Sequence, residues 1–124
     1  GEVMDALKSI LIKKPDLFLT SGDNTVAMAI EAIARTLKQH KIPYFTNAPS
    51  DVDRGVFLGL GADYVEVGRA TAKAAVRVIR GENPRDVAIN DYVPEKVNIN
   101  LALAREYGIT IPDEVLRRAA KVVK

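Results

Sequence analysis

Apolar positions along the chain follow two periods, and these predict alternating helices and strands. Four apolar residues near the start lie at helical spacing and predict an amphipathic helix: Val3, Leu7, Ile10 and Leu11. Pro15 ends this helix because its ring clashes with the preceding turn. The short apolar run from Leu17 to Thr20 then predicts a strand that is buried on both faces, which is typical of a parallel sheet.

The middle of the chain continues this alternation. An apolar face between Val26 and Leu37 predicts a second helix, with alanines on its flanks. Two further short strands are predicted at 42–46 and 56–60, on either side of a polar loop. The spacing of these elements is that of a chain that returns to the same sheet after each helix.

A long helix is predicted after the third strand. Asp63 and Glu66 form a capping-box pattern at its start, with Asp in the place of Ser or Thr. Gly81 is the predicted residue that ends it. The pattern then weakens, and strands are predicted at 87–89 and 97–99.

The C-terminal part of the chain predicts two more helices. The first runs from 101 to 107 and stops at Gly108. The second has Thr110 as its cap and Pro112 early, and is predicted to run through Val122. Strands that alternate with helices are typical of α/β proteins, so the predicted fold is a parallel sheet with helices on both faces.

Composition excludes several classes of protein. The 124 residues predict a single domain, and the apolar fraction of 48% with a charged fraction of 27% is ordinary for a folded protein. No apolar run approaches the roughly 20 residues that a membrane-spanning helix needs. The formal charge of +2 is too small to indicate nucleic-acid binding. The absence of cysteine excludes disulfides, thiolate metal ligands and a cysteine nucleophile.

Candidate chemistry begins in the loop from Ser21 to Thr25, between a strand and a helix. Ligands of open α/β sheets bind outside the carboxyl ends of the strands. Free N–H groups at the start of a helix attract a carboxylate, and Asp23 attracts an ammonium group, so this loop suits a zwitterion. Helix capping by Asp23 or Asn24 is the alternative interpretation, and the two roles are not exclusive.

A second polar loop, 47–55, follows the next strand. Asn47, Ser50 and Asp51 offer hydrogen-bond donors and acceptors there. The alternative is a solvated turn with local side-chain caps. Either interpretation leaves this loop at the same kind of position as the first one, beyond the carboxyl end of a strand.

Signatures of enzymes are weak. Gly59 and Gly61 begin a dinucleotide-binding pattern, but Tyr64 stands where the third glycine is required. The single histidine, His40, lies among lysines near a helix end and forms no credible Ser-His-Asp set. We therefore expect no enzyme activity, no cofactor and no metal site.

Three segments together resemble a known family. They are PDLFLTSGDNTVAMAIEAIA, the stretch from KIPYFTNAPSD to PRDVAI, and VNINLALAREYGITIPDEVLRRAAKVV, and their most specific motifs are D-N-T-V, G-A-D-Y-x-x-x-G and G-I-T-I-P. They resemble the C-terminal half of ABC-transporter substrate-binding proteins that take up aromatic amino acids and other small solutes. The similarity covers nearly the whole chain.

The resemblance implies a periplasmic-binding-protein fold of two α/β lobes with the ligand between them. Members of the family are about twice this length and begin with an export signal, so residues 1–124 are expected to be a C-terminal fragment. Residues of about 1–60 and 95–124 would then form most of one ligand-binding lobe. The helix at about 63–81 would pack on the other lobe, and its apolar face would otherwise be open to self-association into a homo-oligomer.

The implied function is non-enzymatic. The parent protein would bind a small molecule such as an amino acid outside the cytoplasm and deliver it to an ABC permease. The resemblance implies ligand contacts from six residues: Asp23, Asn24, Thr25, Asn47, Ser50 and Tyr64. The alternatives are the effector domain of a sugar-responsive repressor, which shares the two-lobed architecture, and a small α/β enzyme. The sequence does not identify the ligand.

Overall fold

The structure is a computed structural model that describes residues 1–87 and 94–124. These residues form two compact units, one of residues 1–61 with 96–124 and one of residues 62–95. The predicted α/β class is confirmed, because five strands form a single sheet in the order β1-β2-β3-β4-β5 with helices around it. Within the described ranges, no helix combines the length and the apolar character that crossing a bilayer requires.

Helices and strands alternate from α1 to α4, as the sequence predicts, and the order differs from the prediction after α4. In chain order they are α1 Glu2–Leu11, β1 Phe18–Thr20, α2 Asn24–Met28, α3 Ile30–Gln39, β2 Tyr44–Thr46, a 3-10 helix Pro49–Arg54, β3 Leu58–Ala62, α4 Tyr64–Ile79, β4 Glu95–Asn100, α5 Leu101–Tyr107, α6 Asp113–Arg118 and β5 Ala119–Val123. Strand β2 lies parallel to both β1 and β3, and β4 lies parallel to β5.

Adjacent residues of β2 show how the sheet is covered on both faces. Tyr44 packs in a cluster with α1 and α3, whereas Phe45 packs beside Phe57 and α5. Successive side chains of a strand point to opposite faces, so helices on both sides are needed to bury this pair. The larger cluster consists of Leu7, Ile30, Ile33, Ala34, Leu37, Ile42, Tyr44 and Val56.

Strand β1 corrects one prediction. The sequence predicts burial on both faces, but Leu19 is 66% exposed, while Phe18 and Thr20 are half-buried on the opposite face. Leu19 lies beside Phe45 at the edge of the sheet, and the cluster that covers Phe45 does not extend to it. An apolar run does not reveal whether its strand is central or lies at an edge.

The second predicted helix is divided in two at Ala29, which ends α2 and precedes α3. The carbonyl of Ala27 accepts a hydrogen bond from the guanidinium Nη2 of Arg54 at 3.1 Å. In a continuous helix that carbonyl would accept from the N–H of Glu31. Arg54 therefore satisfies a backbone group that the break exposes.

The C-terminal predictions are partly wrong. The last helix does not reach Val122, because α6 ends at Arg118 and the chain continues as β5 along β4. The β-branched residues at the end of the chain suit this strand, and the ladder satisfies their backbone groups. Thr110 is not the cap either, since Pro112 occupies that position without a side-chain bond.

Three strand predictions have different outcomes. The predicted strand at 97–99 is confirmed within β4. The predicted strand at 87–89 is not found at Val87, which lies in a bend, and its other two residues lie outside the described ranges. The third strand is two residues later than predicted, at Leu58–Ala62.

The second unit is built on α4. Oδ1 of Asp63 accepts hydrogen bonds from the N–H groups of Val65 at 3.1 Å and Glu66 at 3.4 Å, so the predicted cap is confirmed. The reciprocal half of the capping box is wrong, because the N–H of Asp63 donates to the carbonyl of Pro94 at 2.7 Å and the Glu66 carboxylate pairs with Arg69. Gly81 follows the helix with a φ of 99°, which is the left-handed conformation that the prediction requires.

Candidate functional site

The carboxyl ends of β1 and β2 lie side by side in the first unit. Their parallel register pairs Thr20 with Thr46, so the two predicted loops begin at neighbouring points of the same sheet edge. The hydroxyls of Thr20 and Tyr44 lie 2.9 Å apart and form a hydrogen bond beneath them. This arrangement places both loops where open α/β sheets bind ligands.

Asp23 caps α2, as one of the two interpretations of the first loop predicts. Its backbone is extended, and its Oδ1 accepts a hydrogen bond from the N–H of Val26 at 2.9 Å. One carboxylate oxygen is thus used by the helix, and the other, Oδ2, is not part of this bond. Asn24 and Thr25 are exposed in the first turn that follows.

The second loop turns through the 3-10 helix. Thr46 begins it by bonding to Ala48, with its hydroxyl donating to the carbonyl at 3.1 Å. With about three residues per turn, this helix directs one side inward, and Asp51 and Val52 are buried while Ser50 is exposed. Gly55 ends the helix with a φ of 92°, and a Cβ there would lie 3.3 Å from that of Ala34.

A small cavity of about 90 Å³ lies between the two loops. Two of the predicted residues, Asp23 and Asn47, line it together, and a Cβ on Gly22 would lie 3.4 Å from the Asn47 amide. The predicted residues Asn24, Thr25 and Ser50 are not among its lining residues. The polar side chains that line it are Thr20, Ser21, Asp23, Thr46, Asn47 and Asp51.

Tyr64 belongs to the second unit. It is the first residue of α4, directly after the Asp63 cap, and its side chain is 76% exposed. Its role as a contact residue therefore remains an expectation drawn from the sequence.

Asp51 is the residue to which the sequence gives too little weight. It is only 9% exposed, although it lies in a loop rich in Asp and Ser. The signal for its burial is its neighbour Val52, the one aliphatic residue in the 3-10 helix. Its carboxylate forms an ion pair with Arg54, with Oδ1 4.0 Å from Nη1.

Tyr44 remains a neutral phenol beside this site. Burial raises its pKa above the ordinary value, the hydrogen bond with Thr20 lowers it, and the negative charge of Asp51 raises it further. The net shift is upward, so the hydroxyl that bonds Thr20 keeps its proton at neutral pH.

The Gly59-Leu60-Gly61 motif has a packing role in this fold. A Cβ on Gly59 would lie 2.5 Å from the carbonyl oxygen of Ala48, and one on Gly61 would overlap the carbonyl oxygen of Asn47. Glycine is required because β3 passes directly against the backbone of the second loop. The motif that resembles a dinucleotide signature therefore allows β3 to approach the loop that carries Asn47.

Comparison with known proteins identifies the family. A model of the ABC transporter substrate binding protein family matches residues 2–123. The chain belongs to the ABC transporter substrate-binding protein family. The resemblance stated from the sequence is thereby confirmed, and the α/β fold agrees with that of solved family structures.

Several relatives extend this assignment. A tyrosine-binding protein of Clostridioides difficile (strain R20291) is 24% identical over 100 residues, which are 81% of this chain and 29% of the relative. A conserved domain protein from Vibrio cholerae is 36% identical with a TM-score of 0.75, over 98% of this chain and 40% of that one.

Two solved structures carry descriptions of function. An ABC domain from Streptococcus pneumoniae in complex with L-Trp is 32% identical, with a TM-score of 0.70, over 92% of this chain and 40% of that one. A ligand-free, open substrate-binding protein with adhesive properties from Clostridium difficile is 25% identical, with a TM-score of 0.74, over 99% of this chain and 41% of that one. The chain thus spans well under half the length of the relatives it matches.

Proposed function

We propose that this chain supplies one side of the binding site of a substrate-binding protein for amino acids, with tyrosine and tryptophan as the first candidates. The cavity between the two loops is the observation that carries the proposal. Its volume of about 90 Å³ is that of roughly three water molecules, which suits the charged end of an amino acid rather than a whole ligand. The named ligands of two relatives support the choice of amino acid.

The proposed contacts assign a part to each predicted residue. Asp23 receives the ammonium group through the carboxylate oxygen that is not used in capping, and the N–H groups of Asn24 and Thr25 receive the ligand carboxylate. The Asn47 amide offers both a donor and an acceptor at the cavity. Ser50 and Tyr64 are proposed to contact the ligand outside this cavity.

The domain organisation is also proposed. Residues 1–60 and 95–124 form most of one lobe, and the helix at 63–81 packs on a second lobe. Support for the second part comes from α4, in which no residue is buried and Ile79 is 82% exposed.

Membership of this family favours the transporter interpretation over the repressor and the enzyme. The parent protein would thus bind its solute outside the cytoplasm, without catalysis, and deliver it to an ABC permease.

The test is calorimetric titration of the full-length gene product with L-tyrosine and L-tryptophan. Asp23→Asn keeps a good N-cap but removes the charge, whereas Asp23→Ala removes both. Truncating a charged partner in a closed site costs about 2–5 kcal/mol, so both variants should bind about 30-fold to several thousand-fold more weakly. The melting temperature without ligand should fall only in Asp23→Ala, by an amount that corresponds to about 1 kcal/mol of stability.

The pair of variants separates the two roles of Asp23. If Asp23→Asn binds as the wild type does, Asp23 is a helix cap and not a ligand contact. If the wild-type protein binds neither amino acid, the proposed substrate class is wrong.

A further inference from the structure

Asp51 is the more buried of the two carboxylates that line the cavity between the two loops. The residue is 9% exposed and lines the cavity between the two loops. Within the described ranges, its side chain accepts no hydrogen bond, and its ion-pair partner, Nη1 of Arg54, lies at 4.0 Å. The side chain itself is 13% exposed, so the carboxylate keeps access to the cavity, where it can accept hydrogen bonds from a bound group.

Arg54 pairs with Asp51 without a hydrogen bond, because its Nη1 lies 4.0 Å from Oδ1 and its other two nitrogens donate elsewhere. Its Nε donates to the Glu31 carboxylate at 3.3 Å, and its Nη2 donates to the carbonyl of Ala27 at 3.1 Å. These contacts hold the guanidinium against α2 and α3. Arg54 thus fixes the position of the 3-10 helix, and the carboxylate of Asp51 remains directed at the cavity.

The charges that line the cavity favour a cation. Two carboxylates, those of Asp23 and Asp51, line it, and none of the described residues that line it is basic. The hydroxyls of Thr20 and Thr46 already form hydrogen bonds with Tyr44 and Ala48. The two carboxylates therefore favour a bound group that offers donors and a positive charge.

We propose that Asp51 is a ligand-binding residue that accepts hydrogen bonds from the ammonium group of the bound amino acid. An ammonium group has three donors, enough to serve Asp51 and Asp23 at once. Arg54 is the positioning residue that holds Asp51 in place. This inference rests on the proposed function and deepens it, because it assigns the inner end of the cavity to the ligand's cation.

The test uses Asp51→Asn in the full-length gene product, with Asp53→Asn as the matched control. Asp53 lies in the same 3-10 helix, pairs with Lys121 at 2.7 Å and does not line this cavity. The probes are L-tyrosine, L-tryptophan and 3-(4-hydroxyphenyl)propanoate, which is tyrosine without its ammonium group. Calorimetry gives the dissociation constants, and melting without ligand monitors the fold.

Asp51→Asn should weaken binding of both amino acids by about 30-fold or more, while Asp53→Asn stays within about twofold of the wild type. Binding of the propanoate should be as strong in Asp51→Asn as in the wild type, because that probe has no cation to lose. An equal loss for all three probes, or no loss for the amino acids, overturns the inference.

A failure of the proposed substrate class has a different signature. If the wild-type protein binds neither amino acid, a panel of cationic and neutral solutes is screened by thermal stabilisation. A cationic solute that stabilises the wild type but not Asp51→Asn upholds the role of Asp51 and rejects only aromatic amino acids. A neutral solute that stabilises both proteins equally rejects the role of Asp51.

Discussion

The side-chain amide of Asn98 donates a hydrogen bond to the backbone carbonyl of Pro49, with 2.8 Å between Nδ2 and the oxygen, in the interior of the first unit. Asn98 lies in β4, and Pro49 is the first residue of the 3-10 helix. This bond therefore connects the central sheet to the loop that carries Asp51. The other amide atom, Oδ1 of Asn98, is buried without a partner in the described part of the chain.

We expect Asn98→Ala to destabilise the protein by about 1–3 kcal/mol, because the Pro49 carbonyl is left buried without a donor. Loss of the unpaired Oδ1 offsets part of this cost, so the lower half of the range is expected. Urea unfolding of the full-length protein measures the change. Asn83→Ala, at an exposed asparagine, is the control and should shift stability by less than about 1 kcal/mol. Equal effects of the two changes would contradict this account.

Glycine positions offer a second, steric test. Gly61→Ala should destabilise the protein by about 2 kcal/mol or more, because the new Cβ overlaps the Asn47 carbonyl and the strand must move. Gly68→Ala is the control, since nothing lies within 4 Å of a Cβ there and Gly68 is inside α4. That control should be neutral or stabilising by up to about 1 kcal/mol, as alanine favours a helix. Thermal melting compares the two, and a well-folded Gly61→Ala protein would refute the packing role.

The alternation of helices and strands was predictable from the sequence. The errors arise where contacts with neighbouring strands decide the conformation. The spacing of Val115, Leu116, Ala119 and Val122 fits a helix, yet pairing with β4 makes residues Ala119–Val123 a strand. Similarly, the apolar run at Leu17–Thr20 predicts a strand but not its place at the sheet edge. Local periodicity does not show which strands are adjacent in the sheet.

The site was predictable at the level of loops and less so at the level of side chains. Asp23 and Asn47 share a cavity because parallel strands bring their carboxyl ends to one edge. Asp51 and Asp53 look alike in the sequence, but the phase of the 3-10 helix buries one and exposes the other. That phase depends on how Arg54 and Gly55 dock on α3, which is a tertiary contact.

Stability should depend on alkaline pH through Tyr44. Its pKa in the folded protein is raised, mainly by burial, so unfolding releases a proton once the pH exceeds about 10. Stability from the neutral phenol is therefore constant below about pH 10 and falls as the pH rises further.

Tyr44→Phe should cost about 1 kcal/mol at pH 7, through the lost Thr20 bond, and the difference should shrink above pH 10. Urea unfolding between pH 7 and 11 measures this, with Tyr64→Phe as an exposed control that should show neither effect.

The proposed packing of α4 on a second lobe makes a prediction for the full-length protein. Ile79→Lys should destabilise it by about 3 kcal/mol, because the lysine would be buried without a partner. Ile12→Lys changes a residue of equal exposure in the first unit and should stay within about 0.5 kcal/mol. Residues 1–124 expressed alone should self-associate through the same face, which light scattering measures. A monomeric chain, or equal effects of the two lysines, would contradict the proposal.

Arg54 provides the last test, because it connects the 3-10 helix of the second loop to α2 and α3. Arg54→Ala removes the hydrogen bonds to Ala27 and Glu31 and should cost about 1–2 kcal/mol, given its partial exposure. Arg35→Ala, on the same helix as Glu31 and without a side-chain partner among the described residues, is the control and should be near neutral.

If Arg54 positions Asp51, its effect on amino-acid affinity should be large in the wild-type background and nearly absent in Asp51→Asn. Calorimetric titration of the four proteins of this double-mutant cycle measures the coupling. Additive losses of affinity would mean that Arg54 stabilises the loop without acting through Asp51.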